Sequence, residues 1–244
     1  MDTQGTGGTE SAGVVHGPHD ETRHHFTEIL DEIKNGMVEM GSLVVENARR
    51  VGVAMVENRL ELVPIVIAAD EEVNQRYAEL ERKTFETLAR QQPVAKDLRF
   101  LVSATRILYE LERSGDLVVN LAYILDRIHG FPDSPHLRSL LDRLVEASCD
   151  LFTRSITALG DMDGEAGERL DAEDDVVDDL VEAFYEEIGR EREEIGLEAG
   201  IALNRMGRFL ERIADHGVNI GENTTYIVTA EFPGDTHLSL RDDQ

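Results

Sequence analysis

From Leu101 the apolar and small residues run Leu101, Ala104, Leu108, Leu111, Gly115, Val118, Ala122, Leu125, alternating steps of three and four. A repeat of about 3.5 residues is the seam of a helix packed against other helices. The same rhythm occurs one segment earlier in Leu62, Val66, Ala69, Val73, Tyr77, Leu80. No stretch alternates apolar and polar residues with β-branched enrichment, so no sheet is expected. The pattern predicts an all-α chain of six long helices near 23–58, 61–91, 93–129, 135–160, 164–195 and 198–229. Pro93 is expected in the first turn of the third helix, where the missing amide hydrogen costs nothing. "HGFPDSPH" (129–136) breaks the chain near its middle, with Asp133 or Ser134 as the cap of the next helix. "GDMDGE" (160–165), Gly196 and Gly200 mark the later turns. Short connections make successive helices antiparallel neighbours.

A chain of 244 residues with 41% apolar content has the material for a large core. No apolar run approaches the roughly 20 residues of a membrane span. The first 21 residues are Gly/Thr-rich without a basic start and apolar core, so they read as a flexible tail and not as a signal peptide. Cys149 is the sole cysteine, which excludes a disulfide framework and a Cys-x-x-Cys metal site. A cytoplasmic location is expected. The formal charge of −26 repels nucleic-acid phosphates and anionic lipid surfaces and favours cations, although most such acids simply solvate helix faces.

The chain also repeats itself. "ADEEVN" (69–74) parallels "EDDVVD" (173–178), and "LERSGDLVVN" (111–120) parallels "LERIADHGVN" (210–219), at offsets of 104 and 99 residues. Repeats of this length are domains and not solenoid units. The expectation is a tail at 1–22, one three-helix bundle at 23–131, a second at 132–232 in pseudo-symmetry with it, and a tail at 233–244.

Within the repeat, Glu112, Asp116 and Asn120 share a spacing of four, as do Glu211, Asp215 and Asn219. Residues four apart lie about 6 Å apart on one helix face, so each acidic pair can share a ligand. Asp70/Asp116 and Asn74/Glu112 have a common midpoint at residue 93, and Asp174/Asp215 and Asp178/Glu211 share one at 194.5. Antiparallel folding about those points brings each set of four to one height, the first about 30 Å from its turn. Converging carboxylates repel and raise one another's pKa, a conflict that a multivalent cation removes. All-oxygen donors suit Mg, Mn, Ca or ferric-type iron, whereas zinc more often recruits His or Cys. The bland alternative is that Arg113 and Arg212 neutralise these acids as surface ion pairs. His216 has Leu117 as its first-half counterpart and is expected to be a partly exposed side chain, not a ligand. A ferritin-like di-iron enzyme needs a Glu-x-x-His on each of two helices, and only Glu21 to His24, at the edge of the expected tail, has that spacing.

The sequence resembles the PhoU family of phosphate-uptake regulators. The likeness is carried by "LARQQPVAKDLRF" (88–100), "LYELERSGDLVVNLA" (108–122), "RFLERIADHGVNIGENTTYIVTAE" (208–231) and the pairs Asp70/Asn74 and Asp174/Asp178, over about residues 23–235. It implies two pseudo-symmetric three-helix bundles and a multinuclear metal site, often iron and sometimes zinc or another cation such as manganese or magnesium. The first site would use Asp70, Asn74, Glu112 and Asp116, and the second Asp174, Asp178, Glu211 and Asp215. Asn74 removes one charge, so weaker binding is expected at the first. The resemblance further implies a cytoplasmic negative regulator that restrains the phosphate ABC transporter through its ATPase, quiets the phosphate-sensing histidine kinase, and forms a homodimer. It supplies no catalytic residue set. A metal-dependent phosphohydrolase using the clustered carboxylates is the alternative function, and an ion-free scaffold a third.

Overall fold

Among the residues that the computed structural model describes, 18–231, the chain is all-α, with no strand. The helices are α1 (Pro18–Val56), α2 (Val63–Gln91), α3 (Ala95–Arg127), α4 (Pro135–Asp161), α5 (Ala166–Arg190) and α6 (Arg192–Thr229), with one 3₁₀ turn at Leu60–Leu62. The expected tails lie outside the described residues up to 17 and from 232 onward, but α1 begins at Pro18, inside the stretch expected to be tail. No helix among the described residues is long and apolar enough to cross a membrane.

Each α-helix has a buried stripe at helical spacing. On α1 it runs Ile33, Met37, Met40, Val44, Ala48, Val51 and Met55; on α3 the seam from Leu101 to Leu125 is buried throughout. Helices α1, α2 and α3 pack on one another, as do α4, α5 and α6; α1 then packs on α4 and α3 on α6. The α3–α6 and α1–α4 pairs pack as closely as helix pairs inside a half, and the buried apolar residues form one cluster that spans both halves. Large buried side chains such as Phe152 and Phe184 therefore each stand for about 3–5 kcal/mol against truncation to alanine.

The turns explain the geometry. Gln92 and Ala95 take left-handed backbone angles, φ +44 and +46, and Val94 is extended. Pro93 consequently lies in the turn and not in the first turn of α3, because the reversal needs an extended, non-helical linker. Ser134 caps α4 by accepting a hydrogen bond from the Leu137 amide at 3.1 Å. The inter-half loop is held by Asn58, whose side-chain oxygen accepts from the Phe131 amide at 2.8 Å. Gly130, at φ +111, makes room there; a Cβ would fall 2.5 Å from the Asn58 oxygen. Gly196 breaks the last helix, with φ +78 and ψ 166, whereas Gly200 lies inside it.

Contacts fix the directions. Ser114 faces His216 and Glu110 faces Asn219, so α3 and α6 run antiparallel. Arg49 meets Asp150 and Lys34 meets Gly160, so α1 and α4 do likewise. The α2–α3 turn and the α5–α6 turn are thereby placed at opposite ends of the molecule.

Candidate metal centre

The α2–α3 hairpin brings the first set together. Val73 is buried against α3, which turns Asp70 and Asn74 toward the ridge of Glu112 and Asp116. Gly115 allows the close approach: a Cβ there would lie 3.0 Å from Asp70 Oδ1 and 3.3 Å from Val73. Asn74 Nδ2 donates to Asp70 Oδ2 at 2.8 Å. Burial raises the Asp70 pKa and the Asp116 charge adds to it, while the Asn74 bond pulls the other way. Glu112 is raised by burial, then by Asp116 and, more weakly, Asp70, with Arg113 opposing. Arg113 lies 3.5 Å from Glu112 Oε2 and 3.4 Å from Asp116 Oδ2.

The second set shows less compensation. Asp174 on α5 is pushed up to about 7, chiefly by burial and then by the charges of Asp215 and Asp178, with Asp171 and Glu211 adding to them. Asp178 and Asp215 are also raised, each by burial first and by Glu211 second. Asp174 Oδ1 is buried without a hydrogen-bond partner. The basic residue that contacts this set is Arg208, paired with Glu211 one helical turn away. Arg212, which the sequence put forward, instead lowers the Asp215 and Glu110 pKa values from a distance. All eight expected residues thus fall into two groups of four, one on each hairpin. Asn120 is exposed and Asn219 turns to Glu110 at 3.3 Å, so neither asparagine joins a group.

The donor chemistry fits a hard cation best at the second set, where an orphaned buried oxygen and three raised acids, Asp174, Asp178 and Asp215, meet beside Glu211. The first set fits less well because Asn74 and Arg113 already compensate part of the conflict among its acids. As the side chains stand, no three His, Cys, Asp or Glu among the described residues form a ready metal-holding group. Arg208 competes for Glu211 at the second set, so a cation drawing on that carboxylate would have to displace the pair.

The PhoU domain model matches residues 37–125 and 141–224, one stretch on each half. A phosphate-specific transport system accessory protein PhoU homolog from Synechocystis sp. is 32% identical over 210 residues, covering 86% of this chain and 93% of that protein. The chain belongs to the PhoU family. PhoU homolog 1 of Mycobacterium tuberculosis is 29% identical over 215 residues, 88% of this chain and 97% of its own length. The crystal structure of PhoU from Pseudomonas aeruginosa superposes with a TM-score of 0.79 at 24% identity, over 84% of this chain and 100% of that one. That of the phosphate transport system regulatory protein PhoU from Streptococcus pneumoniae gives 0.77, also at 24% identity, over 85% of this chain and 98% of that one. These superpositions establish a PhoU fold.

Beside the second set of this PhoU-family chain lies a polar cluster that the sequence pattern did not reveal. His216 is buried, contrary to expectation; its Nδ1 is 3.0 Å from Ser114 Oγ and its Nε2 is 3.7 Å from Glu110 Oε2. Burial, with Arg212 and Arg113 nearby, pushes the imidazole down to about 4, so it is neutral at pH 7. Serine, histidine and glutamate together have the composition of a hydrolase triad, but Ser114 is fully buried and its hydroxyl donates to the Glu110 carbonyl at 2.8 Å. No substrate reaches it. The cluster ties α3 to α6 across the two halves.

Proposed function

We propose that this chain is a cytoplasmic negative regulator of phosphate uptake and phosphate-starvation signalling. On this reading it is a metal-binding helical adaptor, working as a homodimer, between the ATPase of a phosphate ABC transporter and a sensor histidine kinase. The observation that carries the reading is the match to a protein named as a phosphate-specific transport system accessory protein, at 32% identity over 93% of its length. The helical surface supports docking more than turnover, since the one serine–histidine–acid contact described above is buried. No observation favours the phosphohydrolase reading.

Asp174, Asp178, Glu211 and Asp215 would hold the principal cation, with Asp70, Glu112 and Asp116, assisted by Asn74, as a weaker second position. A bound cation supplies the positive charge that lets these carboxylates ionise side by side. The chain's own contribution is to hold the acids of two helices at one height and to keep Arg208 and Arg113 close enough to exchange with the ion. The deciding experiment is co-purification of the full chain with the transporter ATPase and with the sensor kinase, at high and low phosphate. Recovery of both, with a difference between the two conditions, is expected; recovery of neither in either condition overturns the adaptor reading.

A further inference from the structure

The two helical hairpins differ sharply at their tips. Residues 82–106, around the α2–α3 turn, carry six Lys or Arg against two Asp or Glu in a chain of net charge −26. Arg82, Arg90 and Lys96 are exposed there, and Lys83 pairs with Glu32. Exposed apolar groups accompany them: Val94 is 73% exposed, and Phe85, Leu98 and Val102 are also exposed. Residues 186–198, around the α5–α6 turn, carry six Glu against two Arg. Leu197 there is 81% exposed and Ile201 is exposed beside it. A cavity of about 340 Å³ adjoins this tip, with Ile128, Pro132 and Ile195 giving apolar lining and Asp133, Glu191 and Glu194 acidic lining.

One tip projects apolar and cationic groups; the other offers an acidic cavity with apolar walls. They lie at opposite ends of antiparallel helices, about 50 Å apart along a helix of 33 residues, so they cannot meet within one molecule. Exposed apolar side chains grouped at each tip beside charge of opposite sign suit a surface that a partner covers. A net charge of −26 on each copy opposes association at long range, but at about 0.15 M salt that repulsion is screened beyond about 8 Å, leaving contacts between touching tips to decide.

We propose that the occupant of each tip is the opposite tip of a second copy of this chain. Two molecules lie antiparallel, with the α2–α3 turn of each seated in the acidic cavity beside the α5–α6 turn of the other. The arrangement is a closed two-fold pair with the same contact made twice. It rests on the homodimer reading above and gives that dimer its interface.

The test is the mass in solution of the full chain by light scattering and sedimentation at about 0.15 M salt, with helix content followed by circular dichroism. The wild type is expected to be a dimer. Arg82→Glu with Arg90→Glu and Lys96→Glu makes both tips acidic, and Glu193→Lys with Glu194→Lys and Glu198→Lys makes both basic. Each variant alone is expected to be monomeric, with the dimer dissociation constant raised at least about tenfold. Mixing the two variants restores a one-to-one pair, because every contact is again of opposite sign. A monomeric wild type overturns both this interface and the homodimer. A dimer that persists in both variants leaves the homodimer standing and removes the interface. Masses that grow beyond the dimer overturn the closed pair, and a monomer that instead binds vesicles of anionic lipid assigns the basic tip to a membrane surface.

Discussion

In the first half of the molecule Asp70 is held by the Asn74 amide at 2.8 Å, and Arg113 lies against both Glu112 and Asp116. In the second half Asp178 stands where Asn74 does, Arg208 answers Glu211 alone, and Asp174 retains a buried oxygen without a partner. The backbone differs too: Gly115 lets α2 close upon α3, and its counterpart Ala214 carries a methyl group. One duplicated plan has thus become a hairpin whose raised acids are partly compensated by Asn74 and Arg113, and another whose acids are left in sharper conflict. The conflict costs stability in the absence of an ion, and the same conflict is what would make an ion bind.

Four measurements bear on that difference. The largest effect concerns His216, whose first-half counterpart is Leu117. Its folded pKa of about 4 lies below the ordinary 6.5, so the unfolded chain takes up the proton first. Its contribution to stability is full above 6.5 and is lost as pH falls toward 4, by about 3 kcal/mol in total. Denaturant unfolding at stepped pH in chelator should show this loss in the wild type and a flatter profile in His216→Leu. An unchanged profile would separate His216 from acid sensitivity.

Next comes ion-dependent stability. At a hundred times its dissociation constant, a cation bound only to the folded state adds about 2.7 kcal/mol, several degrees of Tm for a chain of this size. Glu112→Ala with Glu211→Ala is expected to abolish the shift while preserving helix content. Asp174→Ala alone should remove most of it and Asp70→Ala much less; equal losses would erase the distinction between the halves. Scanning calorimetry with iron, manganese, magnesium or zinc against chelator reads the result.

A smaller effect isolates the conflict itself. The folded pKa of Asp174, about 7, lies above the ordinary 3.8, so the native state holds the proton longer and ion-free stability declines as pH rises through that window. Asp174→Asn should therefore stabilise the chelator-treated protein at pH 8 by about 1 kcal/mol, after allowance for solvent screening of a half-buried group, and by little at pH 4. Loss of stability at pH 8 would show that the carboxylate is not under strain. The smallest effect is expected from Arg208→Met, which frees Glu211 and should tighten cation binding about two- to fivefold by titration calorimetry. Weaker binding would make Arg208 a supporting residue instead of a competitor.

The helices and the two groupings were legible in the sequence because both depend on local spacing: a seam near every third or fourth residue, and pairs equidistant from a turn. The turn at residue 93 was located correctly but its form was not, since Gln92 and Ala95 adopt left-handed angles that neither residue type signals. Gly196 and Gly200 look alike in sequence; only the first bends the chain. His216 was misjudged because its burial arises from α6 lying against α3 of the other half, a contact with no trace in the periodicity of either helix. Arg208 lies three residues before Glu211 on the same helix face and pairs with it, whereas Arg212, its next neighbour, points elsewhere; helical spacing selects the partner, and adjacency in sequence does not.

The seam between α3 and α6 gives the duplicated design a further property. Each of these rods carries acids along one edge and is wedged against its twin along another, with Glu110, Ser114, His216 and Asn219 stitched across the join. A rod so clamped has little freedom to shift by itself. Any charge that settles on one hairpin and draws its rods inward would tug at the other through that stitching, so the two halves would answer a cation as one body and not as independent receptors.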